Sequence, residues 1–549
     1  MAASSSSHKY LMTLLLVFSA YTQELNNCDA FQTFGFDMHH RFSDQVKSIM
    51  GSDNLPEKGS LGYYAAMVHR DKAFHGRALA ENDDDNSQLL TFSNGTETLL
   101  LSSLGFLHYA YVSLGIPSKS FLVALDTGSD LFWVPCDCTS CVRNLVTSYG
   151  TELNFTIYSS NSSTTSKDVS CNNSLCVLQR ECSDSSSQCP YRVEYRDKTF
   201  SSGVLVEDIL HLTVENHEPR DINCRITFGC GRVQNGSLLG TGAPNGLFGL
   251  GMGDTSVPSI LSREGLIANS FSMCFGFDGV GRINFGDKGS SDQDETPFIL
   301  PQRTRRRQTH YEVRVTQLSV GKNLSDPLDF NAVFDSGTSF THLDDPAYRA
   351  ICESFDSQAI HKRHSSDPGI PLEYCYDFSS NTTELVVPKV SLIIKGGRQF
   401  NVHDPTVLIT DGTTVIAYCL GVVRSPNVNI IGQNFMTGYR IVFDREKMVL
   451  GWKASKCYEI FDPSTQQKNP AIRKESPPTI NVLPLFASRG TPRNGLNSGI
   501  PQFSVGKPQN IYLMIMVSSL FMLLLLILRI VPTIQMLDLY FSFSSVNNP

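Results

Sequence analysis

One short pattern occurs twice in this chain. Val123-Ala124-Leu125-Asp126-Thr127-Gly128-Ser129 returns in the second half as Ala332-Val333-Phe334-Asp335-Ser336-Gly337-Thr338-Ser339. Each copy is three apolar residues followed by Asp, a hydroxyl residue, Gly and another hydroxyl residue. An apolar strand that ends in a tight glycine turn places a carboxylate at the rim of a sheet, with one side open to a cleft. A single Asp-Thr-Gly is an ordinary turn. Two copies with the same apolar flank ask for a fold of two halves, each delivering one carboxylate to a shared site.

The texture around the repeat agrees. From Leu104 to about Tyr458 the chain runs in short stretches rich in Val, Ile, Phe and Tyr, broken at close intervals by Gly, Pro, Asn and Asp. That is an all-β texture. Strands are expected near Tyr109–Leu114, Phe121–Leu125, Gly203–Leu212, Leu385–Ile394 and Tyr439–Trp452, with Pro346–Phe355 as the best helix. At 549 residues the chain has room for about three ordinary domains, or two large ones plus tails. A formal charge of −8 with pI near 5.9, and no basic stretch interleaved with aromatics, excludes nucleic acid as a natural partner. There is no phosphate-binding glycine loop, no His-Glu-x-x-His helix and no coenzyme fingerprint, so neither cofactor nor metal is expected.

The ends read as targeting segments. Leu11–Tyr21 is an apolar run of signal-peptide length, with cleavage between Ala20 and Ala30, giving a leader over 1–30. Residues 31–98 are polar and irregular, with His-Arg pairs at His40-Arg41 and His69-Arg70, and suit a removable prosegment or a disordered extension. A Pro, Ser and Asn-rich linker covers 459–510. Residues 511–528 form a transmembrane helix or the hydrophobic core of a lipid-anchor signal, followed by a short tail, 529–549. Secretion fits the 15 cysteines, 14 once Cys28 leaves with the leader, and the glycosylation sequons at Asn94, Asn154, Asn161, Asn172, Asn235, Asn323 and Asn381.

Paired carboxylates that cannot both ionise share one proton, so one is a base and the other an acid in the same site. The charged member can take a proton from a held water while the neutral member donates to a scissile carbonyl oxygen. Asp126 and Asp335 are the catalytic candidates. Thr127 and Ser336 can brace the two turns, Ser129 and Thr338 can bond the outer carboxylate oxygens, and Gly128 and Gly337 make the turns.

On these motifs, from about Leu104 to Tyr458, the chain resembles the pepsin-like aspartic proteases, most of all the plant members with a cysteine-rich insert after the first catalytic motif. Asp126 to Val134 matches that family's first active-site segment. The resemblance implies a bilobal fold with an active-site cleft between two β lobes, here 99–300 and 301–458, and an endopeptidase acting as a monomer on peptide or protein. It equates Tyr195 with the tyrosine of the flap over bound peptide and Trp133 with the tryptophan bonded to it. It also makes Gly246–Gly251 and Ile430–Phe435 the segments packed behind the catalytic turns, and implies disulfides for Cys136, Cys138, Cys141, Cys171, Cys176, Cys182 and Cys189, where thiolate zinc ligation is the alternative. The flap departs from the family in reading Tyr195-Arg196-Asp197-Lys198-Thr199, whose two cations are expected to bias the cleft toward acidic or polar peptide positions, or to lower activity. Arg303, Arg305, Arg306 and Arg307 read as a solvated loop and His342 as structural. The expected protein is a glycosylated secretory or cell-surface protease anchored at its C-terminus. A weakly active homologue that uses its cleft for binding is the alternative.

Overall fold

The computed structural model describes residues 33–50, 59–76, 89–91, 98–100 and 107–457, except 147–151, 196–198, 215–219, 240–241, 278–279, 300–309, 365–371, 379–384 and 411–414. The expected leader, linker, membrane segment and tail, the sequons Asn94 and Asn381, the flap-tip residues Arg196 and Lys198, and the Arg303–Arg307 run lie outside these residues.

The first strand comes from the stretch that reads as polar and irregular. β1 (Phe34–His40) alternates buried and exposed side chains, and helix α1 (Leu61–Gly76) follows. β1 pairs along its length with a later strand of the first half, matching Phe34 with Phe285 and His39 with Val280, and its end meets β2 (His108–Leu114) at His40 and His108. Phe34 and Met38 thereby enter the main core.

β3 (Lys119–Asp126) is buried continuously from Phe121 to Asp126, which explains its unbroken apolar run: a strand covered on both faces has no reason to alternate. After the Asp126 turn the chain continues into β4 (Trp133–Ser140), β5 (Pro190–Glu194), the long hairpin of β6 (Phe200–Val214) and β7 (Arg220–Gln234), and the short β8 (Leu247–Gly249). β8 lies parallel to β3, with Gly249 beside Asp126, and antiparallel to β4 at Leu247 and Trp133. β7 in turn runs parallel to β4. β9 (Ser270–Phe275) and β10 (Val280–Phe285) close this half.

The second half repeats the scheme. β11 (Glu312–Val320) pairs with β12 (Phe330–Phe334), which leads into the Asp335 turn. β13 (Thr341–Leu343) and helix α2 (Ala347–Asp356) follow, one residue displaced from the expected helix. α2 buries Ala347, Tyr348, Ile351, Cys352 and Phe355 as one face. β14 (Val390–Ile394) and β15 (Arg398–Val402) form a hairpin. β16 (Val422–Arg424) lies parallel to β13. β17 (Ile430–Ile431) runs parallel to β12 and meets β13 at His342. The run expected as one strand over Tyr439–Trp452 is a hairpin, β18 (Tyr439–Asp444) and β19 (Val449–Ala454). β18 pairs with β9 of the first half, so a fourteen-stranded sheet draws on both halves of the chain. The fold is all-β and bilobal, as expected from sequence.

Six disulfides pin it among the described residues: Cys136–Cys230, Cys138–Cys141, Cys171–Cys182, Cys176–Cys189, Cys274–Cys457 and Cys375–Cys419. Cys171, Cys176 and Cys182 cluster closely enough to suggest a metal site, but their sulfurs are committed to disulfides. Cys224 and Cys352 are buried free thiols, pushed up to about 12 by burial. They serve as small hydrophobes.

The close approach behind the Asp126 and Asp335 turns leaves no room for a side chain. A Cβ on Gly249 would overlap the carbonyl oxygen of Asp130, and one on Gly432 that of Phe340. Gly432→Ala is therefore expected to destabilise the protein by about 1–3 kcal/mol through overpacking, read as a lowered midpoint in a urea titration.

Candidate active site

Because β3 and β12 each end at a glycine turn, Asp126 and Asp335 are carried to a common point. Both turns are built alike. Asp126 Oδ1 accepts the Gly128 N–H at 2.9 Å and Oδ2 the Ser129 hydroxyl at 2.6 Å. Asp335 Oδ1 accepts the Gly337 N–H at 2.8 Å and Oδ2 the Thr338 hydroxyl at 2.6 Å. Thr127 and Ser336, both buried, cross between the halves: the Ser336 N–H donates to Thr127 Oγ1 at 3.4 Å, and the two hydroxyls stand 3.4 Å apart. The bracing and outer-oxygen contacts expected from sequence are all present.

The turns are held from behind by the β8 and β17 segments. Leu250 N–H donates to the Asp126 carbonyl at 2.8 Å, and Asp335 N–H to the Ile431 carbonyl at 3.2 Å. Tyr311, from the second half, donates its hydroxyl to the Leu250 carbonyl of the first at 2.6 Å. These contacts fix the carboxyl separation through the backbone rather than through flexible side chains.

Burial and the neighbouring charge of Asp335 push the Asp126 carboxyl up to about 6, against the opposing pull of Ser129, Gly128 N–H and Arg70. Asp126 therefore retains a proton in mildly acidic water while sitting beside a second carboxyl group. Such a pair can present an acid and a base to one reactant.

Beside the pair lies a cleft of about 680 Å³, lined by both Asp-containing turns, by Val193, Glu194 and Tyr195, and by the edges of β11 and β12. Trp133 Nε1–H donates to the Tyr195 hydroxyl at 2.7 Å, as the resemblance implies. Of the sequons, Asn154, Asn161, Asn172 and Asn323 are exposed. Asn235 is half-buried, and its Oδ1 accepts the Phe200 N–H at 2.6 Å.

Sequence reasoning missed the contribution of α1. Arg70 and Asp71 are buried, and Arg70 lines the cleft itself. Its Nη1 donates to the Gly337 carbonyl at 2.7 Å and to Asp71 Oδ1 at 2.9 Å. Asp71 accepts the N–H groups of Ser339, at 3.0 Å, and Phe340, at 2.9 Å, along with the Ser339 hydroxyl. His342 Nε2 lies 3.5 Å from Asp71 Oδ2. Burial alone would push the Asp71 carboxyl up, but His342, Arg70 and the Phe340 N–H outweigh it and hold it below the ordinary range. Nearby, burial lowers His108 to about 4, with the Ser336 backbone pulling the other way. The His69-Arg70 pair was the only local signal, and the contacts of Arg70 and Asp71 lie 267 to 269 residues away.

Comparison with known proteins follows the same division into halves. Residues 108–287 match the family model described as xylanase inhibitor N-terminal, and residues 310–454 match xylanase inhibitor C-terminal. The Arabidopsis thaliana protein named aspartyl protease family protein 1 is 52% identical over 457 residues, covering 82% of this chain and 87% of that protein. Aspartic proteinase-like protein 1 of the same plant is 40% identical over 443 residues, covering 78% and 82%. Among solved structures, basic 7S globulin from soybean superposes with a TM-score of 0.51 at 17% identity, covering 78% of this chain and 96% of that one. At that identity it shares the fold.

The Ser129 hydroxyl stabilises the ionised form of Asp126, so Ser129→Ala is expected to raise the Asp126 pKa above about 6. A hydrogen bond to a charge worth about 1.5 kcal/mol corresponds to roughly one pH unit. Carboxyl 13C NMR of aspartate-labelled protein, read as a difference between wild type and variant, measures the shift.

Proposed function

As the chain belongs to the aspartyl protease family, we propose that it is an aspartic endopeptidase, cleaving peptide bonds with a water activated between Asp126 and Asp335. The observation that carries this reading is the matched carboxyl pair, Asp126 buried and Asp335 half-buried, with each outer oxygen held at 2.6 Å by a hydroxyl. An extended peptide in the cleft places its scissile carbonyl over the pair, beneath Tyr195. The ionised carboxylate takes a proton from water as the oxygen attacks the carbonyl carbon. The protonated carboxyl donates to the carbonyl oxygen. The resulting tetrahedral diol collapses as a proton passes to the amine nitrogen, and the C–N bond breaks without a covalent enzyme adduct. Because the pair needs one proton, cleavage belongs below about pH 6, where Asp126 keeps it.

The intact pair, its four flanking hydroxyls and the Trp133–Tyr195 bond argue against a cleft kept for binding alone. The paired cysteines and exposed sequons support passage through the secretory pathway to the cell surface, with residues 1–30 as leader and 511–528 as membrane attachment. No helix among the described residues is long and apolar enough to cross a membrane, and 511–528 lies outside them.

The position of Arg70 supports a latent form. A guanidinium beside the pair favours the doubly ionised, inactive state and fills space that peptide needs. Removal or displacement of α1 would clear it.

Two measurements test this. Asp126→Ala and Asp335→Ala are each expected to abolish cleavage of a peptide library at pH 4–5, a loss on the order of 10³-fold or more, since neither acid nor base can act alone. Equal turnover in all three proteins would end the enzyme reading. Arg70→Ala in the full chain is expected to raise cleavage at pH 5.5–6 several-fold, with little change once the N-terminal segment has been removed; an unchanged rate would refute latency through Arg70.

A further inference from the structure

The cleft wall beside Asp335 carries a charge that the catalytic reading does not use. On β12, Asn331 and Val333 share a face with Asp335, because every second side chain of a strand points the same way. On the neighbouring β11, Val313 and Val315 turn into the core while Glu312 and Arg314 do not, and both line the cleft. The register sets Glu312 opposite Val333 and Arg314 opposite Asn331. Val333 is two residues before Asp335, about 7 Å along the strand. The Glu312 carboxylate therefore lies about two residue steps along the strand from Asp335, within reach of a long side chain flanking the scissile bond of an extended peptide.

The other charges of the wall are committed. Arg314 is held by Asp329 through both Nε and Nη2, so that pair presents little net charge. Glu194, on the flap strand, pairs with Arg192 at 3.6 Å. Glu312 is half-buried and has no side-chain hydrogen bond or ion pair among the described residues. Arg70 places a cation in the cleft beside the pair, its guanidinium donating to the Gly337 carbonyl. Among the described residues the cleft wall thus holds a carboxylate with no ion-pair partner, and the cleft already houses a guanidinium.

We propose that Glu312 is a specificity-determining residue that selects peptides with Lys or Arg adjoining the scissile bond. This rests on the endopeptidase reading above and names its substrate class. A partly desolvated carboxylate favours a long cation over an isosteric neutral chain because the pair is screened less than in bulk water, whereas an acidic side chain at that position meets repulsion.

The test uses full-length protein at pH 5 with a set of peptides in which Lys, Gln, Leu or Glu occupies each residue flanking the cleaved bond in turn. The N-terminal segment competes equally with every peptide, so ratios of kcat/KM are independent of its occupancy. Wild type is expected to prefer Lys over Gln at one flanking position by about tenfold, or 1.4 kcal/mol. Glu312→Gln should reduce that ratio to below about twofold, and Glu312→Lys should invert the preference in favour of Glu. No Lys preference in wild type, or a preference that survives in Glu312→Gln, overturns the proposal while cleavage of the Leu peptide upholds the enzyme reading. The same ratios measured as affinities for reduced-amide peptides, which cannot be cleaved, separate the two ideas. Lys selectivity that depends on Glu312, without turnover of any peptide, sustains the site and sinks the endopeptidase.

Discussion

Two carboxyl groups held side by side, one buried and one half-buried, repel when both are ionised, and their backbone contacts keep them together. Asp126 and Asp335 are delivered by strand ends whose backbone is bonded to segments packed behind, and the Thr127–Ser336 contact ties one turn to the other. The repulsion is relieved chemically instead, by a retained proton. That solution works only if the surroundings stay apolar and rigid. The continuous burial of β3, the absence of side-chain room at Gly249 and Gly432, and the Tyr311 bond between halves all follow from this demand.

The two halves use one topology for different ends. Trp133 meets β8 at Leu247, and His342 meets β17 at Ile430, so the two residues hold equivalent places behind the two turns. Trp133 reaches outward to fix Tyr195 on the flap. His342 reaches Asp71 on α1. One half therefore fixes a tyrosine that lines the cleft, and the other anchors the helix that carries Arg70 into it. Asp71 also satisfies the backbone N–H groups of Ser339 and Phe340, donors just past the Asp335 turn that would be costly to bury unpaired.

Covalent links complement this arrangement. Cys274–Cys457 fastens β9 to the end of the described chain, three residues beyond β19, reinforcing the sheet that both halves build. Four further bridges hold the stretch between the first turn and the β6–β7 hairpin, where strands are short and the apolar core is thin. An even cysteine number suits a disulfide framework without requiring every thiol to join it. Cys224 and Cys352 instead lie buried on a strand and a helix, where packing decides their state.

The amino-acid sequence alone determined the paired-carboxyl constellation. Asp126, Asp335, their glycines and their hydroxyls are contiguous in two short segments, so local geometry encodes them and repetition betrays them. The all-β bilobal fold was legible for the same reason, because strand and turn signals act over a few residues. Residues 34–76 were not legible, since β1 is short and partly polar and gains its partners only from strands far along the chain. Arg70 and Asp71 acquire meaning from contacts more than 260 residues away, and Glu312 from a register that sets it across from Val333. Such pairings have no local signature: only tertiary structure decides which distant backbone a side chain will meet, because burial and hydrogen bonding are satisfied by neighbours in space, whatever their separation in sequence.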